Sequence, residues 1–142
     1  MTLEELVQAL HLRPLSPAAP GDAEITRGYA SDLLSDVLAH APAGGVLVTF
    51  QINLDVITVA GYAGLRAIIF SRGRMPEDGF LERAAGEGLS LFGSQADTFE
   101  IVGRLYELGL RGSLHSRSKR PVAGARSPVW SRAVAGARGL LT

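Results

Sequence analysis

The chain has 142 residues, a formal net charge of zero and no cysteine. Its length fits one domain, and the missing cysteines exclude disulfides, thiolate zinc sites and cysteine nucleophiles. The neutral total hides an asymmetry: residues 1–110 carry all fourteen acidic side chains and seven basic ones, whereas residues 111–142 carry seven basic side chains and no acidic one. No apolar run approaches the roughly 20 residues of a membrane-spanning helix, and no secretory signal is seen. We therefore expect a cytoplasmic, acidic body that does not bind nucleic acid, and a basic tail.

The N-terminal segment predicts one helix followed by a loop. Thr2 and Glu5 have the spacing of a capping box, which marks the start of the helix. The apolar stripe that follows at helical spacing comprises Leu3, Leu6, Val7 and Leu10. Prolines and a glycine between residues 14 and 21 then predict a loop.

From residue 24 the sequence alternates short apolar runs with amphipathic segments. The predicted strands cover residues 25–29, 46–50, 66–70 and 89–92. The predicted helices cover residues 31–41, 54–62, 76–88 and 94–108. This alternation predicts the α/β class, with a three-layer α/β/α arrangement, a mostly parallel sheet of about four strands, and right-handed crossovers.

Each of these helices has an expected start and an expected buried face. We expect Ser31, Asn53 and Ser94 to cap three of them, with Asp97 at the capping-box position after Ser94. Pro76 is expected in the first turn of the remaining helix. The apolar face of the first comprises Leu33, Leu34, Val37, Leu38 and Ala41. That of the last comprises Phe99, Ile101, Val102, Leu105 and Leu108, and Gly109 suits the position after its end.

Polar residues follow all four predicted strands. In an open parallel sheet, ligands bind outside the carboxyl ends of the strands, near a switch in strand order. Helix N-termini and arginines suit phosphate or carboxylate groups, and Asp32 and Asp55 suit ribose hydroxyls or a cation. The candidate ligand-binding residues are Ser31, Asp32, Gln51, Asn53, Asp55, Ser71, Arg72, Gly73 and Ser94, with Arg74, Gly93 and Gln95 in the same loops. The alternative is that they are ordinary helix caps and solvated loop residues.

No catalytic constellation is recognised. The chain has no Walker A sequence, G-x-S-x-G elbow, H-E-x-x-H motif or dinucleotide fingerprint. The serine–aspartate pair at Ser31 and Asp32 lacks a histidine base. Asp32, Asp36 and His40 share a helix face at i, i+4 and i+8, where a divalent metal is possible but solvated side chains are commoner. We therefore predict no catalytic residue, no metal and no cofactor.

Four segments taken together resemble DRTGG-domain proteins, in particular the small stand-alone bacterial members. They are the G-Y-x-S-D-L-L-S-D-V block at residues 28–37, residues 49–60, residues 67–69, and the segment 103–109 that ends in L-Y-E-L-G. The resemblance covers residues 1–110 and implies an α/β domain similar to the N-terminal domain of HPr kinase/phosphorylase, without the kinase activity of that enzyme's separate P-loop domain. The eponymous string is absent, and Thr26-Arg27-Gly28 is its nearest vestige.

DRTGG domains also occur in phosphotransacetylases and between the CBS domains of regulated pyrophosphatases, which implies a regulatory or dimerisation role. Stand-alone members are often encoded near iron hydrogenase and redox-subunit genes. Asn53 and Asp55 stand where these relatives tend to have histidine and asparagine, so the ligand chemistry of the relatives does not transfer directly.

The leading hypothesis is a non-catalytic regulatory module that binds a small anionic ligand, such as an adenine nucleotide, and self-associates as a homodimer. The alternative is a protein–protein adaptor for a hydrogenase-type redox enzyme complex. A protein serine kinase, the third hypothesis, would need phosphate-transfer residues that the sequence lacks. Residues 111–142 are expected to be a disordered, low-complexity tail, or else a basic arm for a membrane, nucleic acid or acidic partner.

Overall fold

The computed structural model describes residues 1–17 and 24–113, and the part of the basic tail from residue 114 onward lies outside the described residues. The helices are α1 (Leu3–Leu10), α2 (Leu34–His40), α3 (Asp55–Tyr62), α4 (Phe80–Glu87) and α5 (Thr98–Glu107). The strands are β1 (Arg13–Pro14), β2 (Gly28–Ala30), β3 (Val46–Thr49), β4 (Ala67–Phe70) and β5 (Ser90–Gly93). Within this part of the chain, no helix combines the length and apolarity needed to cross a membrane.

The strands form one sheet in the order β1-β5-β4-β3-β2. β2 to β5 pair in parallel, and β1 pairs antiparallel with β5. This confirms the α/β class and the mostly parallel sheet, but the sheet has five strands rather than four. The additional strand, β1, was assigned to a loop because Pro14 suggested one; proline is tolerated there because β1 is an edge strand.

The parallel strands follow one another across the sheet in chain order. No reversal of strand order therefore occurs between β2 and β5. The ligand site expected near such a reversal therefore has no counterpart in the parallel part of this sheet.

Two buried clusters fill the core, and alternate strand residues belong to different clusters. The first combines Leu3, Leu6 and Leu10 of α1 and Ile101 and Leu105 of α5 with Val46, Val48, Ala67, Ile69 and Phe92 of the strands. The second combines residues of α2, α3 and α4 with Leu47, Ile68, Phe70 and Leu91. All residues of β3, β4 and β5 are buried, as expected for parallel strands inside an α/β domain.

Helix α2 begins later than expected. Its N-cap is Leu33, with no side-chain capping bond, whereas the Ser31 hydroxyl accepts a bond from the Leu33 amide at 3.2 Å. Asp32 explains the delay, because its hydrogen bonds to the end of β3 hold the chain beside the sheet before the helix can start. Leu33 and Leu38, expected in the core, are 63% and 50% exposed, so Val37 is the buried residue of α2.

The other helix starts agree with the prediction in part. The Thr2–Glu5 capping box is present. The N-cap of α3 is Leu54 and not Asn53, although the Asn53 side chain accepts from the Asp55 amide at 2.8 Å. α4 begins at Phe80 rather than near Pro76, because its N-cap Gly79 has a φ of 93° that interrupts the helical backbone.

The last helix is capped by Asp97, not by Ser94. The Asp97 carboxylate accepts from the Glu100 amide at 2.9 Å, whereas the Ser94 hydroxyl accepts from the Ala96 amide at 3.1 Å. Phe99, expected in the core, is 88% exposed, because α5 turns a different face to the sheet. Gly109 follows the helix with a φ of 109°, as expected for the residue after a helix end.

Candidate functional site

The side chain of Asp32 connects the ends of β2 and β3. Its Oδ1 atom accepts hydrogen bonds from Thr49 Oγ1 at 3.0 Å and from the Phe50 amide at 2.7 Å. Gln51 Nε2 donates to the Asp32 carbonyl at 3.4 Å. One carboxylate oxygen of this candidate ligand residue is therefore already engaged by the protein.

Most of the other candidates at these strand ends also bond within the chain. Gln51 Oε1 accepts from the Asn53 amide at 3.1 Å, and Asp55 Oδ1 lies 3.7 Å from Arg83 Nη1. Ser71 is fully buried, and its Oγ lies 3.4 Å from the Thr49 carbonyl and 2.9 Å from Thr98 Oγ1. These contacts support the reading of the residues as caps and loop connections.

The loops after β4 and β5 form a second group. Arg72 and Gly73 have φ values of 59° and 68°, and their amides donate to the Ala96 and Ser94 carbonyls at 2.8 and 2.7 Å. Gly73 and Ser94 line a cleft of about 90 Å³. The structure therefore brings the predicted residues together in two groups, and their role as ligand contacts stays a prediction.

A tyrosine–aspartate–histidine cluster joins β2 to α2. Tyr29 donates to Asp36 Oδ2 at 2.7 Å, and His40 Nδ1 lies 3.1 Å from Asp36 Oδ1. Burial, together with the adjacent Asp36, raises the pKa of Tyr29 to about 12. The hydrogen bond from Tyr29, followed by one from Ser31, lowers the pKa of Asp36. Asp32 does not share this helix face, because it precedes α2.

The lowered pKa of Asp36 predicts a pH-dependent stability difference between the natural chain and Asp36→Asn. The ionised carboxylate stabilises the folded state above the ordinary pKa of 3.8, and this contribution is lost as the pH falls through the lower folded-state pKa. Urea unfolding at several pH values should therefore show a less stable variant at pH 7 and a difference that vanishes in acid. A difference that persists unchanged in acid would contradict this account.

A cavity of about 320 Å³ lies between the outer edge of β2 and the C-terminal half of α5. Its walls are largely apolar and include Val48, Val102, Leu105 and Leu110, with Tyr106 and Arg111 beside them. Its volume falls at the lower end of the range for small-molecule pockets, roughly 300–1,000 Å³.

The edge of β2 presents backbone polar groups to this cavity. The Val46 amide donates to the Arg27 carbonyl at 3.1 Å, and the Ser31 amide donates to the Val48 carbonyl at 3.3 Å. The odd-numbered residues between 27 and 31 therefore form the backbone hydrogen bonds to β3. Gly28 and Ala30 therefore point their backbone groups outward, away from β3.

A short pairing with Arg111 covers part of this edge. The Gly28 amide donates to the Arg111 carbonyl at 2.9 Å, and the Arg111 amide donates to the Thr26 carbonyl at 3.0 Å. Beyond this pairing, the Gly28 carbonyl and the Ala30 N–H lie side by side, and neither has a hydrogen-bond partner among residues 1–17 and 24–113. The wall of the cavity therefore carries one backbone hydrogen-bond acceptor next to one backbone hydrogen-bond donor.

The Arg111 side chain is held in a defined orientation at the cavity. Its guanidinium lies 3.9 Å from the centroid of the Tyr106 ring, and Nη1 donates to the Tyr106 and Leu110 carbonyls at 3.0 and 2.9 Å. Among the described residues, Nε and Nη2 have no hydrogen-bond partner, so their donors stay available. Arg111 belongs to the segment expected to form the tail, although the L-Y-E-L-G segment ends only two residues earlier.

No family model matches the chain, and no curated protein sequence matches it. Among solved structures, it is similar to the regulatory region of Clostridium perfringens pyrophosphatase, which contains CBS and DRTGG domains and was solved in complex with its activator, diadenosine tetraphosphate. The TM-score is 0.58 at 10% identity over 73% of this chain, which spans 45% of the length of that structure. The predicted resemblance is therefore confirmed at the level of the fold: this chain is similar in structure to a regulatory region that contains CBS and DRTGG domains.

Proposed function

We propose that this chain is a non-catalytic, cytoplasmic regulatory module that binds an adenine nucleotide in the cavity between β2 and α5. The observation that carries the proposal is the adjacent Gly28 carbonyl and Ala30 N–H at the cavity wall. Adenine presents an amino donor beside a ring-nitrogen acceptor, and proteins read this edge of the base through hydrogen bonds. The backbone pair of β2 is complementary to that edge.

The remaining walls of the cavity suit the other parts of a nucleotide. Val102, Leu105 and Leu110 offer apolar surface to the faces of a base, and the Tyr106 ring offers a stacking surface. The donors left on Arg111 suit a phosphate group, because guanidinium binds phosphate through charge-assisted hydrogen bonds.

A regulatory role agrees with the similar structure, since that pyrophosphatase region is complexed with an adenine-containing activator. The engagement of Asp32 by Thr49 and Phe50 supports a non-catalytic role, because the hydrogen bonds of this carboxylate connect the ends of two strands. The two core clusters support helices on both faces of the sheet, which would give the three-layer arrangement expected from the sequence.

A contact with another protein is a second candidate function, and an exposed apolar stripe on α5 favours it. Phe99, Val102 and Tyr106 are 88%, 37% and 59% exposed and follow helical spacing. Such a stripe suits self-association or a redox enzyme subunit. If the chain self-associates through it, sedimentation of the full chain should show a dimer that Phe99→Ser weakens and that the exposed-residue variant Gln8→Ala leaves unchanged.

The nucleotide proposal predicts that Ala30→Pro weakens binding at least about tenfold, because it removes one hydrogen-bond donor. The ladder to β3 should survive, since the Ala30 N–H points away from that strand and proline is tolerated at such an edge. Isothermal titration of the full chain with AMP, ATP and diadenosine tetraphosphate measures the effect.

Ala30→Val is the matched control, because it adds a side chain of similar size but keeps the N–H group, so it should bind more tightly than Ala30→Pro. Far-ultraviolet circular dichroism verifies that both variants are folded. Equal affinities of folded Ala30→Pro and Ala30→Val would overturn the proposed base contact. A natural chain that neither binds nor is stabilised by millimolar nucleotide would overturn the function itself.

A further inference from the structure

Three basic side chains from separate segments line the cleft of about 90 Å³ between the N-terminal residues and the β4 and β5 loops. His11 ends α1, Arg13 lies on β1, and Arg74 follows β4. Among residues 1–17 and 24–113, no acidic residue lines this cleft. The fold therefore places two arginines and a histidine at one edge of an otherwise acidic body.

No carboxylate neutralises these side chains in residues 1–17 and 24–113. The ion pairs of this region connect Glu24 with the N-terminus, Asp36 with His40, Asp55 with Arg83, and Glu100 with Arg104. Like charges that are held close together repel each other. An anion that binds between them removes that repulsion and gains charge-assisted hydrogen bonds.

Two features prepare the cleft for such an anion. The guanidinium of Arg74 lies 4.1 Å from the centroid of the Phe50 ring, so stacking restricts its orientation while its N–H edge keeps donors. The Ser94 hydroxyl accepts a bond from the Ala96 amide at 3.1 Å, which leaves its own proton to be donated.

The size of the cleft selects a small group. Its volume is about 90 Å³, against about 320 Å³ for the β2 cavity. Arg13 and Arg74 line the cleft from two separate segments, and guanidinium groups bind phosphoryl oxygens through charge-assisted hydrogen bonds.

We propose that this cleft is a second ligand site, which binds the phosphoryl group of a small molecule through Arg13, Arg74, His11 and Ser94. It lies at the opposite edge of the sheet from the β2 cavity, four strand spacings or roughly 19 Å away, so one nucleoside monophosphate does not reach both. The site goes beyond the proposed nucleotide function and does not depend on it. A bound phosphate would link α1 and β1 to the loops after β4 and β5.

The test is a titration of the full chain with inorganic phosphate at constant ionic strength, followed by amide chemical shifts in NMR spectra. Saturable shifts are expected at Arg13, Gly73, Ser94 and their neighbours. Arg13→Gln should weaken binding about tenfold. The matched control is Arg66→Gln. Arg66 is an exposed arginine that precedes the first residue of β4, at the end of the strand away from the cleft, so its replacement should leave the phosphate affinity unchanged. Acetate should bind more weakly than phosphate.

Three results would overturn the second site. They are shifts that grow without saturation, equal weakening by Arg13→Gln and Arg66→Gln, and phosphate shifts that centre on Gly28 and Ala30. Adenosine, which lacks a phosphate, probes the β2 cavity alone. Failure of the phosphate site is thus distinguishable from failure of the nucleotide site.

Discussion

Replacement of Leu6 by alanine is expected to lower the free energy of unfolding by about 2–5 kcal/mol. Leu6 is fully buried, and it packs in the cluster that joins α1 and α5 to the strands. Truncation removes apolar contacts and leaves a cavity that the short helix α1 and the rigid parallel strands fill poorly. Urea denaturation of the full chain measures the change.

Gln8→Ala is the matched control for Leu6→Ala, because Gln8 is an exposed residue of the same helix. Its effect should stay within about 0.5 kcal/mol. If the two substitutions have similar small effects, α1 does not contribute its apolar face to the core, and its place in the first buried cluster is contradicted.

Asp32→Ala is expected to destabilise the fold by about 0.5–1.5 kcal/mol, because Asp32 is exposed and solvent weakens hydrogen bonds to a charged group there. The substitution removes the acceptor of Thr49 Oγ1 and of the Phe50 amide. Both donors lie at the end of β3, so the connection between β2 and β3 weakens. Chemical denaturation of the full chain checks this value.

Asp32→Asn distinguishes a structural role from a ligand contact. Asparagine keeps an oxygen acceptor in the same place, so we expect it to recover a large part of the lost stability. If Asp32→Ala unfolds like the natural chain but loses nucleotide binding, the carboxylate contacts the ligand and the structural assignment is wrong.

The sequence predicts those parts of the fold that depend on local patterns. The Thr2–Glu5 capping box, the end of α5 before Gly109, and the three buried central strands follow from residue types only a few positions apart. β1 could not be predicted in this way, because it has two residues, contains Pro14, and exists only through its pairing with β5.

The rotation of a helix against the sheet depends on distant contacts. Two apolar stripes compete on α5: one contains Phe99, Val102 and Tyr106, and the other contains Ile101 and Leu105. The contacts of α5 with β2 and β3 bury the second stripe, and the sequence does not encode this choice locally.

The candidate site shows the same difference between features set by local sequence and features set by distant contacts. Polar residues follow the strand ends, as the sequence indicates, and their role as ligand contacts stays a prediction. The partner of Asp32 lies 17 residues away at Thr49, so its engagement could not be predicted. The β2 cavity was missed because its polar groups are backbone atoms of Gly28 and Ala30. Their availability follows from the edge position of β2, which only the strand order reveals.

The most direct test of the nucleotide site is a set of amide NMR spectra of the full chain, titrated with adenosine and with AMP. We predict saturable shifts at Gly28, Ala30, Val102, Tyr106 and Arg111 with both ligands, and the largest change at the Ala30 amide because it donates to the base. Shifts confined to the loops after β3, β4 and β5, or no shifts at millimolar ligand, would contradict binding of the base between β2 and α5.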